Sequence, residues 1–205
     1  MEIFRIEEYK KSRRLVYLEE EAPAFCLYTK EIRQFDLKEG EELSDETYEE
    51  ILEILKKRAR ERALYLLDDM PRSANQIRKK LKEGYYPEEA IEFAVSYCEG
   101  KHYVDDLAYA MRYIEEKRDT LSKRMIERKL YERGIDKETM EKAFSECEIS
   151  ETDTVKALIE RKYRDIGDMD HEERQKIIRK LLARGFSYDS IRSAVNSQGI
   201  CDSLT

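Results

Sequence analysis

Histidine, cysteine and clustered carboxylates are the side chains most often asked to do chemistry, and this 205-residue chain brings few of them together. His102 and His171 are its two histidines, about seventy residues apart, so neither can serve the other as a local base or co-ligand. None of Cys26, Cys98, Cys147 and Cys201 forms a CxxC pair or has a histidine at metal-ligand spacing. The first three sit among apolar residues, where a thiol behaves as a small hydrophobe, so reduced and buried cysteines in a cytoplasmic protein are expected. Asp105 and Asp106 are adjacent carboxylates, but neighbours on a helix do not face each other, and capping a helix start explains them better than a metal does. There is no glycine-rich phosphate loop and no GxSxG. These residues exclude the common catalytic constellations, and the expectation is a partner-binding protein with no catalytic residue, no metal and no cofactor.

The feature that recurs is basic. Lys79-Lys80, Arg128-Lys129 and Arg179-Lys180 occupy equivalent places in three related segments, beside Lys82, Arg124 and Arg184. Lys123 joins them in residues 117–133, where seven bases face three acids. By contrast, residues 36–50 carry eight acids and one lysine, enough to account for the whole net charge of −7. Segregated charge steers partners even in an acidic protein. Two readings of the basic positions stand side by side. They form either a solvated face laced with glutamates, or a surface for an anion, meaning an acidic protein or a nucleic-acid phosphate. Tyrosines at 85, 86, 109 and 113 either add contact area to such a surface or line the seam between helices.

The elements that must position these cations follow from an internal repeat. Ile77–Leu81, Ile126–Leu130 and Ile177–Leu181 align at offsets of 49 and 51 residues. The register then continues through Tyr86/Ile135/Phe186, Ile91/Met140/Ile191, Ala94/Ala143/Ala194 and Val95/Phe144/Val195. Apolar residues at three- and four-residue steps make each block one face of a helix. Ser73 with Gln76 makes a capping box ahead of the first block. Asp136 and Ser187 fall where a third helix would begin, and Pro87 suits that position in the first unit. Gly134 and Gly185 fall where a left-handed residue ends the middle helix. The first unit has Tyr85 there with Gly84 one residue earlier, which predicts a turn built differently. A helix precedes each block: a long one from about Asp45 to Met70-Pro71, one from Asp106 carrying Leu107, Ala110, Met111 and Ile114, and one from Asp153 carrying Val155, Leu158, Ile159 and Tyr163. Each unit is about fifty residues long, the scale of a helical solenoid repeat.

The first thirty residues differ. Arg14–Leu18 and Ala24–Tyr28 are β-branched and aromatic runs that predict a hairpin, with a third strand at Ile3–Ile6, packed on the helices that follow. Only 7 Gly and 3 Pro in the chain argue against a sandwich or barrel, while 40% hydrophobic residues suffice for a core. No apolar run approaches a membrane span of about 20 residues, and the opening Met-Glu-Ile-Phe-Arg is not a signal peptide. The reading is therefore all-α. It has an N-terminal extension over 1–44, then three tandem three-helix repeats over 45–102, 103–149 and 150–205, in a cytoplasmic monomer.

At these same residues the chain resembles the RecX family of bacterial RecA regulators. Ala63–Leu67 through Arg72-Ser73 and Ile77–Leu81 is similar to that family's opening repeat. Val104-Asp105-Asp106-Leu107-Ala108-Tyr109-Ala110 resembles its D-D/E-x-x-[FY]-A motif. Leu130 to Gly134-Ile135 resembles its L-x-x-K-G-[IFV] turn with Arg133 in place of lysine, and Leu181 to Gly185-Phe186 repeats it. The likeness covers roughly residues 60–198. It implies three-helix units in a curved array, binding in the groove of the RecA–DNA filament, and inhibition of ATP hydrolysis, strand exchange and coprotease activity. Its setting would be homologous recombination, DNA repair and the SOS response. The residues by themselves also allow a helical nucleic-acid-binding module that contacts DNA directly, though weakly, through the basic positions. An acidic balance fits a protein ligand better than free DNA.

Overall fold

The structure is a computed structural model and describes residues 1–147, 150–162 and 171–196. Tyr163, Cys201 and the side chain of His171 lie outside the described residues. The described chain forms two compact units, one from Met1 to Asp105 and the other from Asp106 onward.

In the first unit, β1 (Arg5–Lys10), β2 (Arg13–Tyr17) and β3 (Phe25–Tyr28) pair antiparallel in that order. Alternation along the strands sorts their side chains onto two faces. Val16, Phe25 and Leu27 turn to the main core, while Leu15, Tyr17 and Cys26 pack with Tyr9 and Tyr85 on the other face. The first strand lies two residues later than the run Ile3–Ile6. Ile6 pairs with Val16 across the sheet, whereas Ile3, 1% exposed, bonds through its backbone to Gly40 and Glu41.

A short helix α1 (Thr29–Gln34), which the sequence reading missed, follows directly from β3. Glu31 accepts the Tyr28 N–H at 2.8 Å and pairs with Arg58, so a buried carboxylate anchors this helix. Helix α2 (Asp45–Asp69) starts at the Ser44 cap, with Asp45 and Glu46 at the positive end of its dipole. Ile51, Leu52, Leu55, Ala59 and Ala63 form its buried stripe. They share one core with the sheet, α3 (Ala74–Lys82) and α4 (Glu88–Gly100).

The second unit holds α5 (Asp106–Lys117), α6 (Lys123–Tyr131) and α7 (Lys137–Glu146), then α8 (Glu151–Lys162), α9 (His171–Ala183) and α10 (Tyr188–Asn196). Helix α8 begins two residues before Asp153, because the Ser150 hydroxyl takes the Asp153 N–H at 3.3 Å and acts as the cap. Ala110, Ile114, Ile126, Leu130, Ile135 and Ala143 form one core, and Val155, Leu158, Ile159, Leu181, Phe186 and Ile191 form the next. The fold is thus helical, ten helices among the described residues, with one small sheet at its start.

The three middle helices end alike, contrary to the sequence-based expectation for the first. In each, the residue five after a buried leucine returns its N–H to that leucine's carbonyl. The pairs are Tyr86 to Leu81 (3.3 Å), Ile135 to Leu130 (3.1 Å) and Phe186 to Leu181 (3.3 Å). The preceding residue is left-handed: Gly134 at φ 77°, Gly185 at φ 87°, and Tyr85 at φ 59°. All three are Schellman turns. Tyr85 therefore adopts a conformation that costs a residue with a Cβ about 1–2 kcal/mol. Two contacts offset it: its carbonyl takes the Cys26 N–H at 3.1 Å, and its ring meets Tyr9 edge-on at 5.1 Å.

Candidate partner-binding surface

The middle helices present the repeated cations because their opposite face is committed to the core. Ile77 and Leu81 on α3, and Ile126 and Leu130 on α6, are 0% exposed, and a 3.6-residue period then turns the residues between them outward. Ser73 and Ser122, both buried, cap α3 and α6 by accepting from the backbone of Gln76 and Met125. At the other end Lys79, Lys80, Arg128, Lys129 and Lys180 fall in the last turn, where the helix dipole favours positive charge, and this gives these positions a structural reason to recur.

Lys79, Lys80, Lys123, Arg124, Arg128, Arg179 and Lys180 are exposed, and Lys129 and Arg184 are half-buried. Glutamates on the same helices or at their C-caps meet three of them: Lys80 with Glu83 at 2.7 Å, Arg128 with Glu132 at 3.0 Å, and Lys123 with Glu127 at 3.9 Å. Arg179 donates to the Gln175 carbonyl at 3.3 Å. Lys79, Arg124, Lys129, Lys180 and Arg184 have no carboxylate within ion-pairing distance among the described residues. Exposed pairs of this kind hold by about 0–1 kcal/mol, so even the paired cations can exchange partners.

Spacing along the chain does not reveal how α9 meets α6. The Ser122 N–H, at the head of α6, donates to the Arg184 carbonyl at the tail of α9, at 3.2 Å. Gly185 presses so close that a Cβ there would lie 2.5 Å from Ser122 Oγ and 3.1 Å from Met125 Cβ. Thr154 on α8 makes a second tie, donating to the Arg118 carbonyl at 3.2 Å. The end of α9 thus abuts the start of α6. Lys123, Arg124, Arg128 and Lys129 on α6 and Arg179, Lys180 and Arg184 on α9 and the turn after it belong to one unit, while Lys79 and Lys80 belong to the other.

Beside this run, α6 and α7 leave an open groove of about 450 Å³ with Met140 and Phe144 on its floor and Lys123, Glu127, Lys137 and Glu141 at its rim. Lys123 Nζ stands 4.9 Å over the Phe144 ring. The equivalent residues Ile91 and Val95 in the first repeat, and Ile191 and Val195 in the third, are buried. Only the middle repeat leaves this pair of apolar columns partly open.

The remaining motif residues have structural places. Asp106 opens α5, with Asp105 just before it, and Ala110 is buried while Tyr109 packs half-buried against the same core. His102 is left-handed at φ 55° and ends α4 as the C′ residue of another Schellman turn, its neighbour Tyr103 returning its N–H to Cys98 at 2.8 Å. Cys26, Cys98 and Cys147 are free and buried, and burial pushes each thiol above its ordinary pKa. Among the described residues no three His, Cys, Asp or Glu side chains converge to hold a metal. No helix there is long and apolar enough to cross a membrane.

Family models match the chain in order: the first three-helix domain of RecX over residues 59–98, the second over 105–143 and the third over 150–195. The regulatory protein RecX of Caldanaerobacter subterraneus subsp. tengcongensis is 31% identical over 195 residues, spanning 93% of this chain and 96% of that protein. The Salmonella typhimurium protein of the same name is 32% identical over 145 residues, 64% of this chain and 86% of its own length. A crystal structure of regulatory protein RecX superposes at a TM-score of 0.61 with 26% identity, covering 96% of this chain and 100% of that one. The RecX structure from Lactobacillus salivarius, at 22% identity and a TM-score of 0.59, shares the fold over 72% of this chain and 98% of its own.

Proposed function

This chain belongs to the RecX family of regulatory proteins, and we therefore propose that it binds the RecA–DNA filament and, without catalysing a reaction, lowers its ATP hydrolysis, strand exchange and coprotease activity. The observation that carries this reading is the run of cations along α9 and α6 beside the Met140–Phe144 groove. Cations with an adjoining apolar groove suit a protein partner, whose interface is polar at its rim and apolar at its centre. RecA-dependent ATP hydrolysis on single-stranded DNA is the direct test, with the cognate RecA. Inhibition at substoichiometric amounts is expected, and unchanged hydrolysis and strand exchange in the presence of a large excess would refute the reading.

The cation run itself is tested by changing Lys123, Arg124, Arg128 and Lys129 together to alanine. Alanine favours helix and exposed charges add little stability, so the melting temperature should stay close to that of the parent. The concentration needed for half-inhibition should rise about tenfold or more, because a few central contacts carry most of an interface's free energy. A variant that melts normally and inhibits like the parent would mark the run as merely solvated.

A second reading, direct binding of DNA through the same cations, is favoured because Arg124, Lys129, Lys180 and Arg184 meet no carboxylate among the described residues. Salt separates the two: affinity resting on several phosphates falls steeply with salt, whereas affinity for the filament through a mixed interface falls much less.

A further inference from the structure

The first unit holds a cationic cleft that the repeated positions on the middle helices do not account for. Between the N-terminal sheet and helices α2 and α3 lies a cavity of about 370 Å³ lined by Tyr9, Lys10, Arg13, Arg62, Lys80 and Tyr86, with Gly84 and Glu83 at its border. Its cations come from four separate elements, the end of β1, the start of β2, α2 and α3. Its one acid, Glu83, is already engaged by Lys80 at 2.7 Å. The other three cations meet no carboxylate within 4 Å among the described residues. Lys10 sits 4.8 Å over the Tyr9 ring, Arg13 donates to the Tyr28 hydroxyl at 3.3 Å, and Arg62 rests on the Tyr65 ring.

Convergent like charges repel, and an anion seated among them relieves that repulsion. Their field reaches the groups behind the cleft. Burial raises the pKa of the Tyr86 hydroxyl, and Arg58, Arg13 and Arg62 oppose that rise. The Cys26 thiol is likewise raised by burial and pulled back by Arg13, Arg58 and Lys10.

The turn at the border departs from its counterparts in a way that opens the space. Where the other repeats carry Arg133-Gly134 and Arg184-Gly185, this one carries Gly84-Tyr85. The long basic side chain is gone from position 84, and a Cβ there would already press the Tyr86 ring at 3.0 Å. The left-handed conformation has been moved onto a tyrosine instead, whose carbonyl ties the turn to β3 and whose ring meets Tyr9. Strain of this kind persists where the surroundings over-determine it, commonly at ligand sites.

We infer that this cleft binds single-stranded nucleic acid, with phosphates held by Lys10, Arg13 and Arg62 and a base against the rings of Tyr9 and Tyr86. The volume lies at the low end of small-ligand pockets, room for about one nucleotide unit. Phosphates explain the cations, and an acidic peptide would need them too. The tyrosine rings favour a base, since a positive groove with aromatic platforms is how single strands are held without sequence preference. This inference does not rest on the RecA reading, and its test contains no RecA.

The test measures fluorescence anisotropy of a short labelled oligodeoxythymidine at low salt. The full chain already carries alanine at 123, 124, 128 and 129, so that the α6 cations cannot mask the result. Adding Lys10→Glu with Arg62→Glu, both exposed, should weaken binding at least tenfold, flatten its salt dependence by about two counterions, and leave the melting curve unchanged. Polyglutamate at equal charge concentration should fail to displace the oligonucleotide. Three results would overturn the assignment: no binding of the oligonucleotide, binding indifferent to the double reversal, or displacement by polyglutamate as readily as by unlabelled oligodeoxythymidine.

Discussion

Replacing Gly185 with valine is expected to destabilise the second unit by about 3–5 kcal/mol, from a steric overlap added to a backbone penalty. Gly185 sits at φ 87°, which costs any residue with a Cβ about 1–2 kcal/mol and a β-branched one more. The new Cβ would also fall 2.5 Å from Ser122 Oγ and 3.1 Å from Met125 Cβ. Ser122 is 1% exposed and occupied as the cap of α6, so it cannot swing away. The turn must retreat, breaking the Ser122–Arg184 backbone bond and parting the tail of α9 from the head of α6. Gly40→Ala isolates the backbone part. Its φ is 76°, but nothing lies within 4 Å of the added carbon, so about 1 kcal/mol is expected. Urea unfolding, fitted for a transition in each unit, would compare them. A Gly185→Val protein as stable as Gly40→Ala would show that the two helices do not need this approach. On the proposed function, the valine variant should also inhibit RecA less than its residual folded fraction allows, because Arg184 moves while every cation is still present.

Leu130→Ala is the second large effect, about 2–5 kcal/mol. Leu130 is fully buried among Ala110, Ile114, Ile126, Ile135 and Ala143, and its carbonyl receives the Ile135 N–H that closes the turn. Two of those neighbours are alanines with no reach to fill the space left behind, which places the loss towards the upper end. The core is also smaller than that of the first unit, where the equivalent Leu81 is backed by the sheet and α2. Calorimetry should therefore show the Leu130→Ala transition of the second unit separating downward from that of the first. A loss below about 1 kcal/mol would mean that the neighbours collapse around the gap.

The repeat, the caps and the buried columns were legible because they are local. Ser73, Asp136 and Ser187 cap the helices they precede, and Ile77/Ile126 with Leu81/Leu130 occupy one face by period alone. What sequence could not reveal depends on residues far apart in the chain. In sequence Tyr85 breaks the pattern, because its left-handed backbone is stabilised by Cys26 and Tyr9, about sixty or more residues upstream. In sequence Arg184 is one basic residue among several, and only its carbonyl bond to Ser122 puts it at the head of α6. Lys10, Arg13 and Arg62 were missed altogether. Each is unremarkable among its neighbours, and the cleft exists only where β1, β2, α2 and α3 converge. Helix α1, at six residues, is too short for periodicity to register, and its one signal was Glu31 three residues after Tyr28.

The bond from Cys26 to the Tyr85 carbonyl has a consequence for how molecules of this protein meet one another in a crowded solution. A sheet of three strands has two outer margins whose unpaired amides can template a strand from another chain, the first step of edge-to-edge aggregation. On β3 the outward Cys26 amide is taken by the turn after α3. On β1 the Ile6 amide is taken by the Glu39 carboxylate at 2.7 Å, and Arg5, Glu7, Glu8 and Lys10 crowd the same strand with charge. A strand arriving from a neighbour thus finds the Cys26 and Ile6 amides already engaged by the sheet's own chain, and charge along β1.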